Sequence, residues 1–168
     1  MLSLIKAKIL DGSTLPATLA RWQLMDQKIV FTNGCFDILH YGHLHYLAEA
    51  KSLGDKLIVG VNSMLSVQRL KGIHRPINDD LTRYHLLASL SFVDAVIEFT
   101  ADTPYQLIEI IQPNILVKGG DWKPSQIVGA DVVLAKGGIV KSLPFIEGYS
   151  TTNIETKIRE AGQSGLSG

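Results

Sequence analysis

Thr32-Asn33-Gly34-Cys35-Phe36-Asp37-Ile38-Leu39-His40-Tyr41-Gly42-His43 is the stretch on which the reading of this chain turns. Ahead of it, Lys28-Ile29-Val30-Phe31 is an apolar run of the kind that forms a buried strand. Behind it, Leu44, Leu47 and Ala48 recur at the spacing of a helix's inner face. His40 and His43 therefore stand where a strand hands over to a helix. Unpaired backbone N–H groups and the helix dipole favour anions at such a junction, so the first expectation is phosphate chemistry.

Further along, strand-like and helix-like runs alternate, which predicts an α/β fold with a parallel sheet covered by helices. Lys56–Asn62 is nearly all apolar, as an internal parallel strand should be. Asp94–Phe99 and Asn114–Lys118 read as two more strands, and helices are expected over 79–91 and 104–112. Pro104 suits a first helical position, and Leu107, Ile108 and Ile111 make one stripe. Short strands are expected near Asp131–Leu134 and Ile139–Ser142, with Gly137-Gly138 readable as a loop instead. Residues 1–27 read as an N-terminal extension with an accessory helix around Leu15–Leu24, and 28–161 as the functional domain. Thr152-Asn153-Ile154-Glu155 fits a capping box that would start a helix over about 153–161. Residues 162–168 have little to bury and are expected to be a disordered tail.

The chain's 168 residues suffice for one domain with a continuous core. Sixteen basic residues balance sixteen acidic ones, so no global field attracts nucleic acid or an anionic membrane, and a small-molecule substrate fits better. Cys35 is the only cysteine, which excludes an internal disulfide and suits a reducing compartment. Lys6 and Lys8 interrupt the N-terminal apolar run too early for a signal peptide, and no run approaches the roughly 20 residues needed to cross a bilayer. A cytoplasmic protein is the expectation.

The chemistry of His40, Gly42 and His43, an H-x-G-H arrangement, is intelligible by itself. Displacement at a nucleotide α-phosphate builds negative charge on the phosphorus oxygens and on the departing pyrophosphate. Donors fixed toward that charge lower the barrier, and losing one costs about 3–4 kcal/mol. Imidazoles supply directional donors and carry charge near neutral pH when unperturbed. Gly42 leaves room for phosphate to approach the backbone. The alternative is two incidental histidines at a helix start.

With these residues the chain resembles the H-x-G-H nucleotidyltransferases. Within them it is most similar to the bacterial D-glycero-β-D-manno-heptose 1-phosphate adenylyltransferases. Phe31–His40, Arg69–Gly72 with Arg75–Asn78, Val117–Asp121 and Gly148–Asn153 carry the match. The resemblance implies a Rossmann-like open sheet with helices on both faces. It also implies transfer of AMP from ATP to the sugar 1-phosphate, giving ADP-heptose and pyrophosphate for lipopolysaccharide core assembly. His40, His43 and Lys71 would be catalytic. Asn33, Gly34, Cys35, Phe36, Gly42, Lys118, Gly119, Ser150, Thr151 and Thr152 would bind the nucleotide. Asp37, Arg69, Arg83, Gly120 and Asp121 would bind the sugar phosphate.

Each assignment has a structural alternative. Lys71 and Arg69, expected in a loop after the second strand, read otherwise as a solvated basic loop. Arg83 reads as a charge paired with Asp79 or Asp80, and Lys118–Asp121 as a tight turn. Ser150–Thr152 reads as simple helix capping, and Asp37 as a structural hydrogen-bond acceptor. Cys35 needs no nucleophilic role, because the acceptor already carries a phosphate. His45, His74 and His85 receive none. No histidine–cysteine cluster has zinc spacing. Mg2+ is expected to arrive with ATP, held by phosphates and water.

A departure bears on the nucleotide. The similar glycerol-3-phosphate cytidylyltransferases carry an arginine–threonine pair before the Glu-Gly of their last motif, where this chain has Phe145-Ile146. Ile73-His74 and Tyr149 depart too, at positions that touch substrate. A cytidylyltransferase for an alcohol phosphate and a non-catalytic nucleotide-binding regulatory module remain the competing readings. The family implies a homodimer, and residues 1–27 cannot hold a sugar kinase, so a separate kinase is expected upstream.

Overall fold

In the computed structural model, which describes residues 1–164, helical stripes and buried apolar runs alternate from the first residues onward. In chain order the elements are α1 (Leu2–Lys6), β1 (Ile9–Leu10), α2 (Leu15–Leu24), β2 (Ile29–Gly34), α3 (Tyr41–Lys51) and β3 (Lys56–Asn62). Then come α4 (Met64–Lys71), α5 (Asp80–Ser89), β4 (Ala95–Phe99), α6 (Tyr105–Ile111) and β5 (Ile115–Gly119). A 3-10 turn at Pro124–Gln126, α7 (Ala130–Ala135), β6 (Ile139–Leu143) and α8 (Thr151–Ser164) complete them.

Among the described residues the six strands form one parallel sheet in the order β1-β4-β3-β2-β5-β6. The inner strands β2, β3, β4 and β5 are largely buried, which is why they read as continuous apolar runs, whereas the edge strand β6 is mostly exposed. Alternate residues divide between the faces. Ile29, Phe31, Ile58 and Leu116 pack under α2, α6 and α7, against Trp22, Ile108, Ile111 and Val133. Val30, Leu57, Val59 and Val117 pack under α3 and α5, against Tyr46, Leu47, Ala50, Leu87 and Ala88. The expected open α/β sheet with helices on both faces is what the chain builds.

Several expectations need correction. The expected extension 1–27 is part of this sheet. β1 pairs with β4, and Leu10, Leu15, Leu19 and Trp22 lie in the core, so a boundary at residue 28 divides nothing. Asp131–Leu134 lies in helix α7, because Val133 alone of the run turns fully inward while Leu134 is 52% exposed. Of the expected inner face of α3, only Leu47 is buried. Leu44 and Ala48 are exposed, and the buried stripe is Gly42, Tyr46, Leu47 and Ala50. The Thr152/Glu155 capping box does not form: Ser150 caps α8, its Oγ accepting from the Asn153 N–H at 3.0 Å. That helix continues to Ser164, past the expected start of a tail at 162, and 165–168 lie outside the described residues.

Candidate active site

From β2 the chain winds outward through β3 to β4 on one side, and β5 and β6 lie on the other. The order therefore reverses between β2 and β5, where open α/β sheets bind ligands at the strands' carboxyl ends. Asn33 and Gly34 close β2, and Lys118 and Gly119 close β5. Thr32 and Tyr46 join their hydroxyls beneath this crevice, and the Tyr46 OH donates to the Val117 carbonyl at 3.3 Å. β2, α3 and β5 are thus pinned together, and burial pushes the Tyr46 hydroxyl up to about 12.

His40 is the residue that caps α3. Its backbone is extended (φ −143°, ψ 171°), and its Nδ1 accepts from the His43 N–H at 3.4 Å. An imidazole is an unusual cap where Ser, Thr, Asp or Asn would stabilise the helix more. With Nδ1 accepting, the proton belongs on Nε2. The His40 and His43 rings stack, with centroids 3.8 Å apart and planes at 22°. Phe36 supports them edge-on, its centroid 5.3 Å from that of His43, and holds a left-handed φ of 45° that a bulky residue rarely adopts.

Burial, the adjacent His40 ring and the Lys71 ammonium push the His43 imidazole down to about 4, against a weaker opposite pull from the Ile38 backbone. Burial lowers His40 as well. Both rings are therefore neutral donors at pH 7 in the free protein. Burial likewise lowers Lys118, with Cys35 pulling the other way.

Three adjoining cavities meet here. One of about 200 Å³ is lined by His43, Lys71, Lys118 and Thr151, with Asn33, Gly34, Cys35, Phe36, Asp37 and Gly119. A second, of about 380 Å³, shares Asn33, Gly34, Cys35 and Lys118 and extends to Asn62, Thr103 and Trp122. A third, of about 400 Å³, shares His43, Phe145 and Thr151 and adds His40, Gly42, Tyr149 and Ser150.

Several expected residues are held differently from expectation. Lys71 ends helix α4 rather than sitting in a loop, and Arg69 on that helix donates to Asp102 at 2.7 Å and to the Thr100 carbonyl. Arg83 is fully buried, donating to the Cys35 carbonyl at 2.6 Å, the Asn62 carbonyl at 2.8 Å and Asp80. It clamps the ends of β2 and β3 from behind, with its side chain wholly buried. Asp121 and Thr152 are exposed and line none of the three cavities, nor does the buried Gly120. The glycine pair serves an aromatic ring: a Cβ on Gly119 would lie 2.8 Å from Phe145, and one on Gly120 3.0 Å from it. A Cβ on Gly42 would meet the His40 ring and the Tyr149 Cβ, each at 3.1 Å.

Asp37 is an anchor. It accepts from the Ile77 N–H at 2.8 Å, the Asn78 N–H at 2.9 Å and Arg75 at 2.9 Å. Burial alone would raise its carboxyl, but these donors hold it below the usual range. Residue reasoning had no role for Arg75, although Arg75–Asn78 carried the resemblance. Asn62 and Trp122 line the second cavity without any sequence signal, one a lone polar residue at a strand end and the other a lone aromatic in a loop.

The sequence from 31 to 157 matches the cytidylyltransferase-like family. The chain belongs to that family. It is 51% identical to the bifunctional protein HldE of Geobacter metallireducens over 156 residues, 93% of this chain and 31% of that one. The chain thus spans about a third of the length of the curated relatives it matches. A lipopolysaccharide core biosynthesis protein from Thermoplasma volcanium superposes with a TM-score of 0.57 at 32% identity, covering 74% of this chain and 99% of that one. Pantothenate synthetase of Thermus thermophilus, at 17% identity and a TM-score of 0.60, covers 90% of this chain and 70% of that one, and shares the fold.

Proposed function

We propose that the protein is an adenylyltransferase that transfers AMP from ATP to D-glycero-β-D-manno-heptose 1-phosphate, releasing pyrophosphate. The observation that carries this reading is the stacked His40–His43 pair at the start of α3, whose His43 shares one cavity with Lys71 and Lys118. An oxygen of the sugar phosphate attacks the α-phosphorus, the bond from that phosphorus to the bridging oxygen breaks, and pyrophosphate takes the electron pair. His40 and His43 donate to the α-phosphate oxygens, Lys71 and Lys118 offset charge on the phosphates, and Ser150 and Thr151 hold the leaving group. The acceptor phosphate is ionised at neutral pH, so positioning and charge stabilisation suffice and no strong base is required.

The apolar Phe145 and Ile146 line the nucleotide side of the cavities, where an arginine–threonine pair would favour the cytidylyltransferase reading. The sugar is argued from the resemblance of the chain and from its relatives, HldE and the lipopolysaccharide core biosynthesis protein. ADP-heptose would then feed lipopolysaccharide core assembly in the cytoplasm, and a kinase activity must supply the 1-phosphate. Mg2+ fits as part of the nucleotide. Among the described residues no three His, Cys, Asp or Glu side chains gather to hold a metal, and Asp37 is already engaged by Arg75, Ile77 and Asn78.

Pyrophosphate release measured with ATP or CTP, against heptose 1-phosphate or glycerol 3-phosphate, tests the proposal. Turnover is expected with ATP and the heptose. Turnover only with CTP would replace this reading by the cytidylyltransferase one.

A further inference from the structure

Helix α8 is attached to the molecule in an unusual way. From Thr151 to Gly162 it has no fully buried residue: Thr151, Ile154 and Glu155 are half-buried, and Ile158 is 63% exposed. Apolar burial, the ordinary means of docking a helix, is therefore weak. Among the described residues one side-chain bond joins α8 to a distant segment, the ion pair of Glu155 with Arg75. The other bonds of its side chains are local, from Asn153 to Gly148 and from Arg159 to Glu155.

Arg75 is itself held firmly. Its second amino group binds Asp37 at 2.9 Å, and that carboxylate is 4% exposed and accepts the N–H groups of Ile77 and Asn78. Three segments meet on this one guanidinium. Asp37 stands three residues before His40, Arg75 four residues after Lys71, and Glu155 one turn after Ser150 and Thr151.

We infer that Arg75 is a positioning residue, latched through Glu155, that sets the phosphate-binding start of α8 against the histidines and Lys71. It touches no reacting atom. The inference rests on the nucleotidyltransferase reading, because it assumes that Ser150 and Thr151 grip phosphates. Glu155 is the arm to test, since replacing it leaves the Arg75–Asp37 anchor intact. Side chains of the pair are 23% and 20% exposed, so a contribution at the upper end for an ion pair near the surface is expected.

The experiment is a calorimetric titration of ATP into the wild type and into Glu155→Gln, Glu155→Lys and Arg159→Ala, with kcat and both KM values measured beside it. Glu155→Gln should weaken ATP about fivefold. It should leave the heptose phosphate KM unchanged and lower the thermal midpoint by a few degrees at most, and its deficit should shrink in high salt. Glu155→Lys, which sets a second cation against Arg75, should weaken ATP further. Arg159→Ala should match the wild type, because it removes only the contact within α8. ATP affinity unchanged in both Glu155 variants would overturn the latch. So would Arg159→Ala weakening ATP as much as Glu155→Gln, since that assigns Glu155 to helix stability alone. A wild type that binds ATP but adenylylates no sugar phosphate would overturn the functional reading, while the same titration still decides the latch.

Discussion

The two halves of the crevice are built by different means. At the β2–α3 junction, His40 and His43 stand on a buried strand, a buried Phe36 and a helix seated by Tyr46, Leu47 and Ala50. At the start of α8, Ser150 and Thr151 stand on a helix with no fully buried residue from Thr151 to Gly162, tied back through Glu155. The first half is set by the core and is rigid before substrate arrives. The second is set by surface bonds, which suits the proposed entry of a triphosphate and exit of pyrophosphate. Chemistry should thus fail when the first half is altered, and binding when the second is.

The largest effect is expected at the rigid half. His43→Ala should lower the rate of pyrophosphate release about 100- to 1000-fold, the usual cost of a lost transition-state donor. ATP affinity in a binding titration should change little. Equal losses in rate and affinity would erase the distinction between the halves.

Next comes the clamp behind that half. Arg83→Met leaves the Cys35 and Asn62 carbonyls without their donor and should cost about 2–4 kcal/mol in urea unfolding. Ile158→Ala, on the exposed side of α8, should stay within about 0.5 kcal/mol.

Acid sharpens the contrast further. His43 titrates near 4 when folded and near 6.5 when unfolded, so the unfolded chain binds the extra proton between those values. Stability from the neutral ring is therefore complete above about pH 6.5 and drains away as pH falls toward 4. His40, also lowered, adds in the same direction, and Asp37 contributes its own loss only below about pH 4. Urea midpoints between pH 7.5 and 4.5 should fall more steeply for the wild type than for His43→Gln. Parallel slopes would place the ring in water.

The smallest pair of effects separates two glycines. In Gly42→Ala the new Cβ meets Tyr149 and the His40 ring that caps α3, costing about 1–2 kcal/mol and displacing that ring. Gly119→Ala meets Phe145, which is 67% exposed and swings aside, so stability should change by under about 1 kcal/mol.

The same division explains what could be read from sequence. Lys56–Asn62 and Leu15–Leu24 match their observed strand and helix end to end, because continuous apolar runs and inward stripes leave periodic traces. The placement of His40 and His43 at a strand-to-helix junction was legible because a strand, a glycine and a helix start surround them. Asp131–Leu134 misled because a short run of valines and leucine suits a strand or one turn of buried helix equally. Arg83 and Asp37 carry charge, which predicts contact with solvent or phosphate, yet each is consumed by backbone partners far away in sequence. Gly119 and Gly120 announced a close approach without saying that the neighbour is Phe145. Nothing in residue spacing links Arg75 to Glu155, eighty positions apart.

The most direct test of the central claim is a structure with a non-hydrolysable ATP analogue bound. It should place an α-phosphate oxygen within about 3 Å of a ring nitrogen of His40 or His43, between the ends of β2 and β5. A triphosphate seated elsewhere, for instance in the cavity of about 690 Å³ beside Tyr84 and Glu98, with both rings left in solvent, would contradict it.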